Sequence, residues 1–443
     1  MKNIYLISLG CPRNLLDSEV LIGLLKKSGF NLVETAEEAD AAIVNTCGFI
    51  EEAKKESIDI ILRLAELKRT GQIKRLVVSG CLSQRYPGDL TNEIREIDGI
   101  FGSSDFVKIP ELMKKLTGEG QTKEVSEKPG FLYDHTHDRT LLTLSHYAYV
   151  KIQEGCSNRC TYCVIPDIRG PRRSRKIGSV MKEIEILNKK YDIKEAVIIG
   201  QDITSFGLDR FEENELALLL EKISPMMKDK WIRLLYTHPE KFTDELIEKI
   251  AHTENICKYI DLPIQHINNR ILNKMNRKVS KDEIKALIKK LRSEIKDITL
   301  RTSIIVGFPG ETEEEFDELM DFLKETRFDR LGAFIYSREE GTPAYDFEGQ
   351  VPVEIKEKRF DRVMRLQQEI SSENNFNMIG KTVKVLIDEK SEEEEDRFIG
   401  RSQMDAPEVD GSVFVKGKDL KVGSFVQVRI TGAMEYDLVG EII

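Results

Sequence analysis

The sequence is short of most features that assign a protein's chemistry quickly. It has no apolar run approaching the ~20 residues needed to cross a bilayer, so no membrane span is expected. Its first residues lead straight into a strand-like run without a signal-peptide pattern, and a cytoplasmic protein is expected. Positive charge is not in excess. The 67 Lys and Arg stand against 77 Asp and Glu, a net charge of −10, so bulk electrostatics do not mark a nucleic-acid binder. The six histidines form no HxxxH or HExxH pair. Seven cysteines in 443 residues are too few, and one too many, for a disulfide scaffold. There is no internal repeat, and the one low-complexity stretch is the acidic run 392–396, read as a solvated loop. Apolar material is ample, at 40% hydrophobic residues, which excludes a wholly disordered chain.

Periodicity divides the chain into domains at 1–117, 143–378 and 379–443, with a linker at 118–142. The first part alternates strands (4–9, 41–46, 76–79) with helices (15–27, 50–68, 111–116), which predicts a parallel α/β sheet. The linker is polar and broken by Gly and Pro. The middle part offers six strands, at 148–153, 196–199, 232–236, 259–262, 300–306 and 331–336. Helical patterns such as 181–188, 281–291 and 313–324 separate them, and a long helix over 352–378 follows. Six such repeats suit a partial (β/α)6 barrel, and a doubly wound sheet is the competing arrangement. The last part changes to short strands, 382–387, 412–415 and 425–430, with Gly turns, which predicts a small all-β barrel.

Six of the cysteines fall into two groups of three. Cys156, Cys160 and Cys163 form a CxxxCxxC loop just after the first strand of the middle domain. Thiolates at this spacing let one loop wrap an iron–sulfur cluster, and three ligands leave one iron of a four-iron cube open to a small molecule. Zinc would need a remote fourth ligand. Cys11, Cys47 and Cys81 each follow the carboxyl end of a predicted parallel strand, so the fold can gather them at one sheet edge. Small buried residues are also welcome at such turns. Cys257, in an apolar setting, reads as core.

The CxxxCxxC loop, with Tyr162 before its last cysteine, resembles the radical S-adenosylmethionine (SAM) superfamily. That resemblance implies a 4Fe-4S cluster on Cys156, Cys160 and Cys163, whose open iron chelates SAM and whose electron cleaves it to a 5′-deoxyadenosyl radical. It also implies SAM contacts at Tyr162, at Gly200 and Gln201, at Gln265 and His266, and at Gly307. The architecture of a three-cysteine α/β domain, a radical SAM domain and a TRAM-like barrel resembles the methylthiotransferases over essentially the whole chain. In that family the second triad, here Cys11, Cys47 and Cys81, holds a second 4Fe-4S cluster used for sulfur delivery. Phrases such as Gly10-Cys11-Pro12-Arg13-Asn14, Asn45-Thr46-Cys47-Gly48-Phe49-Ile50 and Tyr336-Ser337-Arg338-Glu339-Glu340-Gly341-Thr342 are similar to the branch acting on an aspartate of the twelfth protein of the small ribosomal subunit. Arg13 stands where many relatives have Lys. The branch acting on tRNA adenosine shares both triads and is the alternative. An external electron donor and a sulfur donor are implied partners.

Two further expectations concern charge. The segment Arg169-Gly170-Pro171-Arg172-Arg173-Ser174-Arg175 offers either guanidinium forks for a carboxylate or a solvated or RNA-contacting loop. Residues 380–443 carry nine Lys and Arg against fourteen Asp and Glu, and Asp405, Glu408 and Asp410 are expected on loops as an acidic face for a basic protein.

Overall fold

The computed structural model describes residues 2–115, 120–211, 213–392, 394 and 396–443. Six parallel strands form the amino-terminal sheet: β1 (Asn3–Ser8), β2 (Asn31–Val33), β3 (Ala41–Thr46), β4 (Arg75–Gly80), β5 (Gly99–Phe101) and β6 (Thr122–Glu124). Their order is β2-β1-β3-β4-β5-β6. Chain direction across the sheet therefore reverses between β1 and β3, a switch point where α/β sheets open a crevice at their carboxyl ends. Every residue of β3 is buried, as a strand covered on both faces requires. The helix Pro12–Lys27 starts on a proline, which needs no hydrogen bond there, and ends on Lys26 and Lys27, which suit its negative end. The predicted strands correspond to β1, β3 and β4. The three-residue strands β2, β5 and β6 were too short to show an alternating pattern. The helix expected at 111–116 runs Ile109–Lys115, and position 116 lies outside the described residues.

Positions 118 and 119, at the start of the predicted linker, also lie outside the described residues. The rest of that segment is mostly exposed or half-buried, with Pro129, Tyr133 and Arg139 buried. It contributes β6, and it buries Tyr133 and Arg139 against Glu183 of the following domain.

The middle domain begins with β7 (Tyr147–Lys151), followed by the two-residue strands β8 (Gln153–Glu154) and β9 (Arg173–Ser174), which pair with each other. The main strands continue as β10 (Glu195–Ile199), β11 (Trp231–Leu234), β12 (Ile256–Asp261), β13 (Thr299–Val306) and β14 (Arg330–Ile335). They are parallel and lie in sequential order from β7 to β14. A doubly wound sheet would reverse direction, so the sequential order identifies the partial barrel. Helices such as Lys281–Glu294 and Glu313–Thr326 begin with capping boxes at Ser280 and Thr312, which satisfy the free N–H groups of their first turns. The long helix is Val353–Phe376.

The last domain is a closed barrel of β15 (Thr382–Lys390), β16 (Arg397–Ser402), β17 (Val413–Lys416), β18 (Phe425–Ala433) and β19 (Leu438–Ile442). Positions 393 and 395 of the expected acidic loop lie outside the described residues. The barrel seats against inward-facing polar residues of the middle sheet. Glu195 accepts from Arg233 at 2.6 Å and from Arg401 at 2.7 Å, and Trp231 packs on Phe425 with ring centres 4.8 Å apart.

This docking overturns the expected acidic face. Asp405 is 2% exposed and paired with Arg330 at 2.7 Å. Asp410 accepts from the Tyr259 hydroxyl at 2.6 Å and lies 3.4 Å from Arg301, while Glu408 accepts from the Tyr147 hydroxyl at 2.6 Å. Net charge located no face, because Asp405 and Asp410 answer cations and a hydroxyl of the middle sheet in an internal interface, and Glu408, though exposed, is bonded to Tyr147.

Cys257 lies in β12, fully buried among apolar and aromatic side chains, and burial pushes its thiol up to about 12. Cys257→Ala is expected to keep the iron content intact and to cost about 1 kcal/mol for the small volume removed. Iron analysis and thermal unfolding check this, and a reduced iron content contradicts it.

Candidate active site

The first triad is assembled by strand ends. Cys11 follows β1 and precedes its helix, Cys47 follows β3, and Cys81 follows β4. Gly10 has a positive φ of 88°, and a Cβ there would fall 2.7 Å from the Cys47 Cβ. A Cβ on Gly48 would fall 2.7 Å from the Leu82 backbone, beside Cys81. Only glycine allows these approaches, and they draw the three strand ends together. Asn14 and Asn45 cross-link the first two ends: the Asn45 amide donates to the Asn14 carbonyl at 2.9 Å, and the Asn14 amide returns to the Asn45 carbonyl at 3.3 Å. Ser57 pins Cys47, accepting from its N–H at 3.0 Å and donating to its carbonyl at 2.8 Å.

All seven cysteines are free thiols. Burial and the neighbouring Cys81 thiol push Cys47 up to about 12, and burial raises Cys81 as well. Cys11 differs. Burial acts to raise it, yet Arg13 and then Arg169 overcome burial and hold the thiol below its ordinary value.

The second triad lies on one loop, closed at its ends by the β8–β9 pair. Cys156 donates to the Gly170 carbonyl at 3.1 Å, and Cys163 to the Cys160 carbonyl at 3.1 Å. Thr161 anchors the loop centre, its N–H reaching the Met275 carbonyl at 3.1 Å and its hydroxyl the Lys274 carbonyl at 2.7 Å. Asn158 donates to Asp202 at 2.8 Å and accepts from Lys241 at 2.6 Å. Tyr162 packs on the apolar cluster of Ile271, Met275, Phe308, Tyr336 and Ala344. Burial raises the thiols of Cys156 and Cys163. Among the described residues, no set of three His, Cys, Asp or Glu closes on a single metal ion.

The two triads lie on segments that pack together. Cys81 forms one apolar cluster with Val164 and Ile168, just past Cys163. Arg13 acts electrostatically on thiols of both triads, Cys11 and Cys163. Beside them runs a buried charge network that sequence reasoning missed. Asp17 accepts from Lys151 at 2.5 Å and from Arg169, Lys151 also reaches Glu154 at 2.5 Å, and Arg169 donates to Asn14 at 3.1 Å and to the Cys81 sulfur at 3.4 Å. Two cations and two carboxylates thus clamp the first domain to the second. The signal was Lys151 and Glu154, charged residues in an otherwise strand-like run. A second clamp joins Glu339, 2% exposed, to Arg85 at 2.8 Å and Lys54 at 3.1 Å.

These pairings correct the reading of the arginine-rich segment. Arg169 and Arg175 are buried on internal carboxylates, and Arg173 donates to the Pro171, Phe131 and Arg169 carbonyls. The segment is internal scaffolding of the cluster loop, because the carboxylates that match it come from the same chain.

The segments expected to contact SAM all lie at carboxyl ends of barrel strands, where barrel enzymes build their sites. The Gly200 carbonyl accepts from Arg13, and the Gln201 amide donates to Glu154 at 2.5 Å. Gln201 Oε1 is buried without a partner. Gln265 has a φ of +69° and bridges to β13 through Ser303 and Ile305. His266 is fully buried; burial lowers it to about 4, and its Nε2 has no hydrogen-bond partner. The Gly307 N–H donates to Glu311 at 2.8 Å.

The radical SAM superfamily profile covers residues 150–323, that of the uncharacterized protein family UPF0004 covers 3–102, and that of the TRAM domain covers 379–443. The radical SAM methyltransferase TsrM of Kitasatospora setae shares the fold over 78% of this chain and 77% of its own, with a TM-score of 0.56 at 16% identity. The chain is 50% identical over 100% of both chains to the ribosomal protein uS12 methylthiotransferase RimO of Desulforamulus reducens. It is 49% identical to that of Clostridioides difficile, over 100% of this chain and 99% of the relative. Identity of this order over the full length shows that the chain belongs to the RimO family of radical SAM methylthiotransferases.

Proposed function

We propose that the protein adds a methylthio group to the β-carbon of an aspartate in ribosomal protein uS12, with one 4Fe-4S cluster on Cys156, Cys160 and Cys163 and a second on Cys11, Cys47 and Cys81. Membership of the radical SAM superfamily brings an iron–sulfur cluster and SAM. The observation that supports the finer reading is the pair of cysteine triads, one at the ends of β1, β3 and β4 and one on the loop after β8, with Cys81 packed on Val164 and Ile168 just past Cys163.

The donor sets fit. Each triad offers three soft sulfur donors outside any disulfide, which suits a cluster with one open iron. An aspartate β-C–H bond is not acidic enough for a side-chain base, and the bound cluster with SAM supplies the radical chemistry that such a bond requires. The chain's own work is positioning. The β8–β9 clamp, Thr161 and Asn158 hold the cysteine loop, while Asn14, Asn45 and Ser57 hold the strand-end triad. Tyr162, Gly200, Gln201, Gln265, His266 and Gly307 are the proposed SAM contacts, and the partnerless Gln201 Oε1 and His266 Nε2 offer buried polar atoms for that role. An electron donor and a sulfur donor act from outside. No described helix is long and apolar enough to cross a membrane, in keeping with a cytoplasmic setting.

Anaerobic reaction of the reconstituted enzyme with SAM, reductant and either uS12 or bulk tRNA tests the substrate. Mass spectrometry is expected to find the methylthio group on a uS12 aspartate. Modified nucleoside with unmodified uS12 contradicts the proposal.

A further inference from the structure

Arg13 is a cation without a carboxylate. It occupies the first turn of the helix Pro12–Lys27 and is half-buried between the two triads. Its Nε lies 3.5 Å from the Cys11 sulfur, and its Nη1 donates to the Gly200 carbonyl at 3.3 Å. Among the described residues, no Asp or Glu pairs with it and Nη2 makes no hydrogen bond. Other buried guanidiniums here are matched: Arg169 by Asp17, Arg233 by Glu195, Arg330 by Asp405, Arg359 by Glu311 and Arg401 by Asp388. Arg277 also lacks a carboxylate, but it is 5% exposed and donates to the Pro263 carbonyl behind the cysteine loop.

The setting prepares that cation for a ligand. The Tyr236 ring lies 4.4 Å beneath the guanidinium, a cation–π contact that orients the plane without neutralising it. Tyr236 holds this place at a φ of +65°, a conformation disfavoured for a tyrosine and fixed from both sides. Its N–H donates to Asp261 at 2.9 Å, and its carbonyl accepts from Ile203 at 3.0 Å. A strained aromatic under a guanidinium with no carboxylate partner, beside Cys11 and Gly200, suits a planar anion. A carboxylate fits, because its two oxygens can meet two N–H groups of one guanidinium.

We propose that Arg13 binds the side-chain carboxylate of the target aspartate and so presents its β-carbon between the two triads. This rests on the proposed function and deepens it. The β-carbon is one bond from the carboxylate, so fixing the carboxylate fixes the reacting carbon. An adenosine base has no carboxylate to offer, and an asparagine side chain offers no charge. Arg13 therefore selects an acidic side chain as well as holding it.

The test uses reconstituted holoenzyme, full-length uS12, and uS12 with its target aspartate changed to asparagine. Calorimetry gives Kd for both proteins, and initial rates give KM for uS12 and for SAM. Arg13→Gln is expected to raise Kd and KM for uS12 by about 10- to 100-fold, the range for a hydrogen bond to a charged group, and to erase discrimination between the aspartate and asparagine forms. Arg13→Lys keeps the charge and is expected to retain discrimination. Unchanged Kd and KM in Arg13→Gln overturn the proposal, as does a Lys variant as blind as the Gln variant. A rise in KM for SAM in place of that for uS12 gives the carboxylate to SAM and overturns it too. Loss of iron in Arg13→Gln makes Arg13 a support for Cys11 and overturns the binding role. Wild-type enzyme that leaves uS12 unmodified refutes the proposed function itself, before any variant is compared.

Discussion

Replacing Cys156, Cys160 or Cys163 by Ala is expected to abolish cleavage of SAM to 5′-deoxyadenosine, a loss of at least about 100-fold, beyond what removal of outer partners of a metal site costs. The three thiols come from one loop whose backbone is held at Gly170, Met275 and Lys274, so no neighbouring segment can slide in a substitute. Replacing Cys11, Cys47 or Cys81 acts at the strand ends of a different sheet. Those variants are expected to stop methylthio transfer while 5′-deoxyadenosine still forms. Chromatography of the nucleoside product and mass spectrometry of uS12, run on the same reactions, separate the two outcomes. Equal loss of both products in both sets of variants contradicts the division of labour.

Glu195→Ala is expected to destabilise the seating of the carboxyl-terminal barrel by about 3–5 kcal/mol, the cost of stranding a buried charge partner. Glu195 and Arg233 are fully buried, and Arg401 is 5% exposed, so removing the carboxylate leaves Arg233 without one and Arg401 with Asp388 alone. Burial acts to raise the Glu195 carboxyl, but Arg401 and Arg233 outweigh it and hold the group below its ordinary range. The sign of the pH effect follows. A lowered native value means the contribution is complete above the unfolded carboxyl's value near 4.5 and is lost as pH falls through the native one. Trp231 is the chain's one tryptophan and sits in this interface on Phe425, so its fluorescence reports the event. Urea titration at neutral pH is expected to show a lower Trp231 midpoint in the variant and a smaller difference in acid. A midpoint shifted by less than about 1 kcal/mol would class the pair with surface salt bridges.

The long parallel strands were legible because each reads as a continuous apolar run, and the cysteine triads because they follow those runs. Strand order was not legible. Periodicity could not tell a sequential partial barrel from a doubly wound sheet, and it takes the β7-to-β14 register to do so. β16 and β19 escaped notice because Arg397, Arg401, Gly400, Gly440 and Glu441 interrupt their apolar pattern. Charge was the least legible property. Arg169, Asp405 and Asp410 look like surface chemistry in one dimension, yet each meets its partner from a distant segment. Arg13 shows the converse. Its place beside Cys11 was visible, whereas its lack of a carboxylate partner emerges only when Gly200 and Tyr236 close around it.

The central claim is that two separate clusters sit on two independent triads. Iron and acid-labile sulfide per chain, measured after anaerobic reconstitution, test it most directly. Two 4Fe-4S clusters require about eight irons in the wild type. About four should remain when Cys11, Cys47 and Cys81 are all Ala, and about four when Cys156, Cys160 and Cys163 are all Ala. Four irons in the wild type, or loss of all iron from a folded chain when either triad alone is removed, would contradict it.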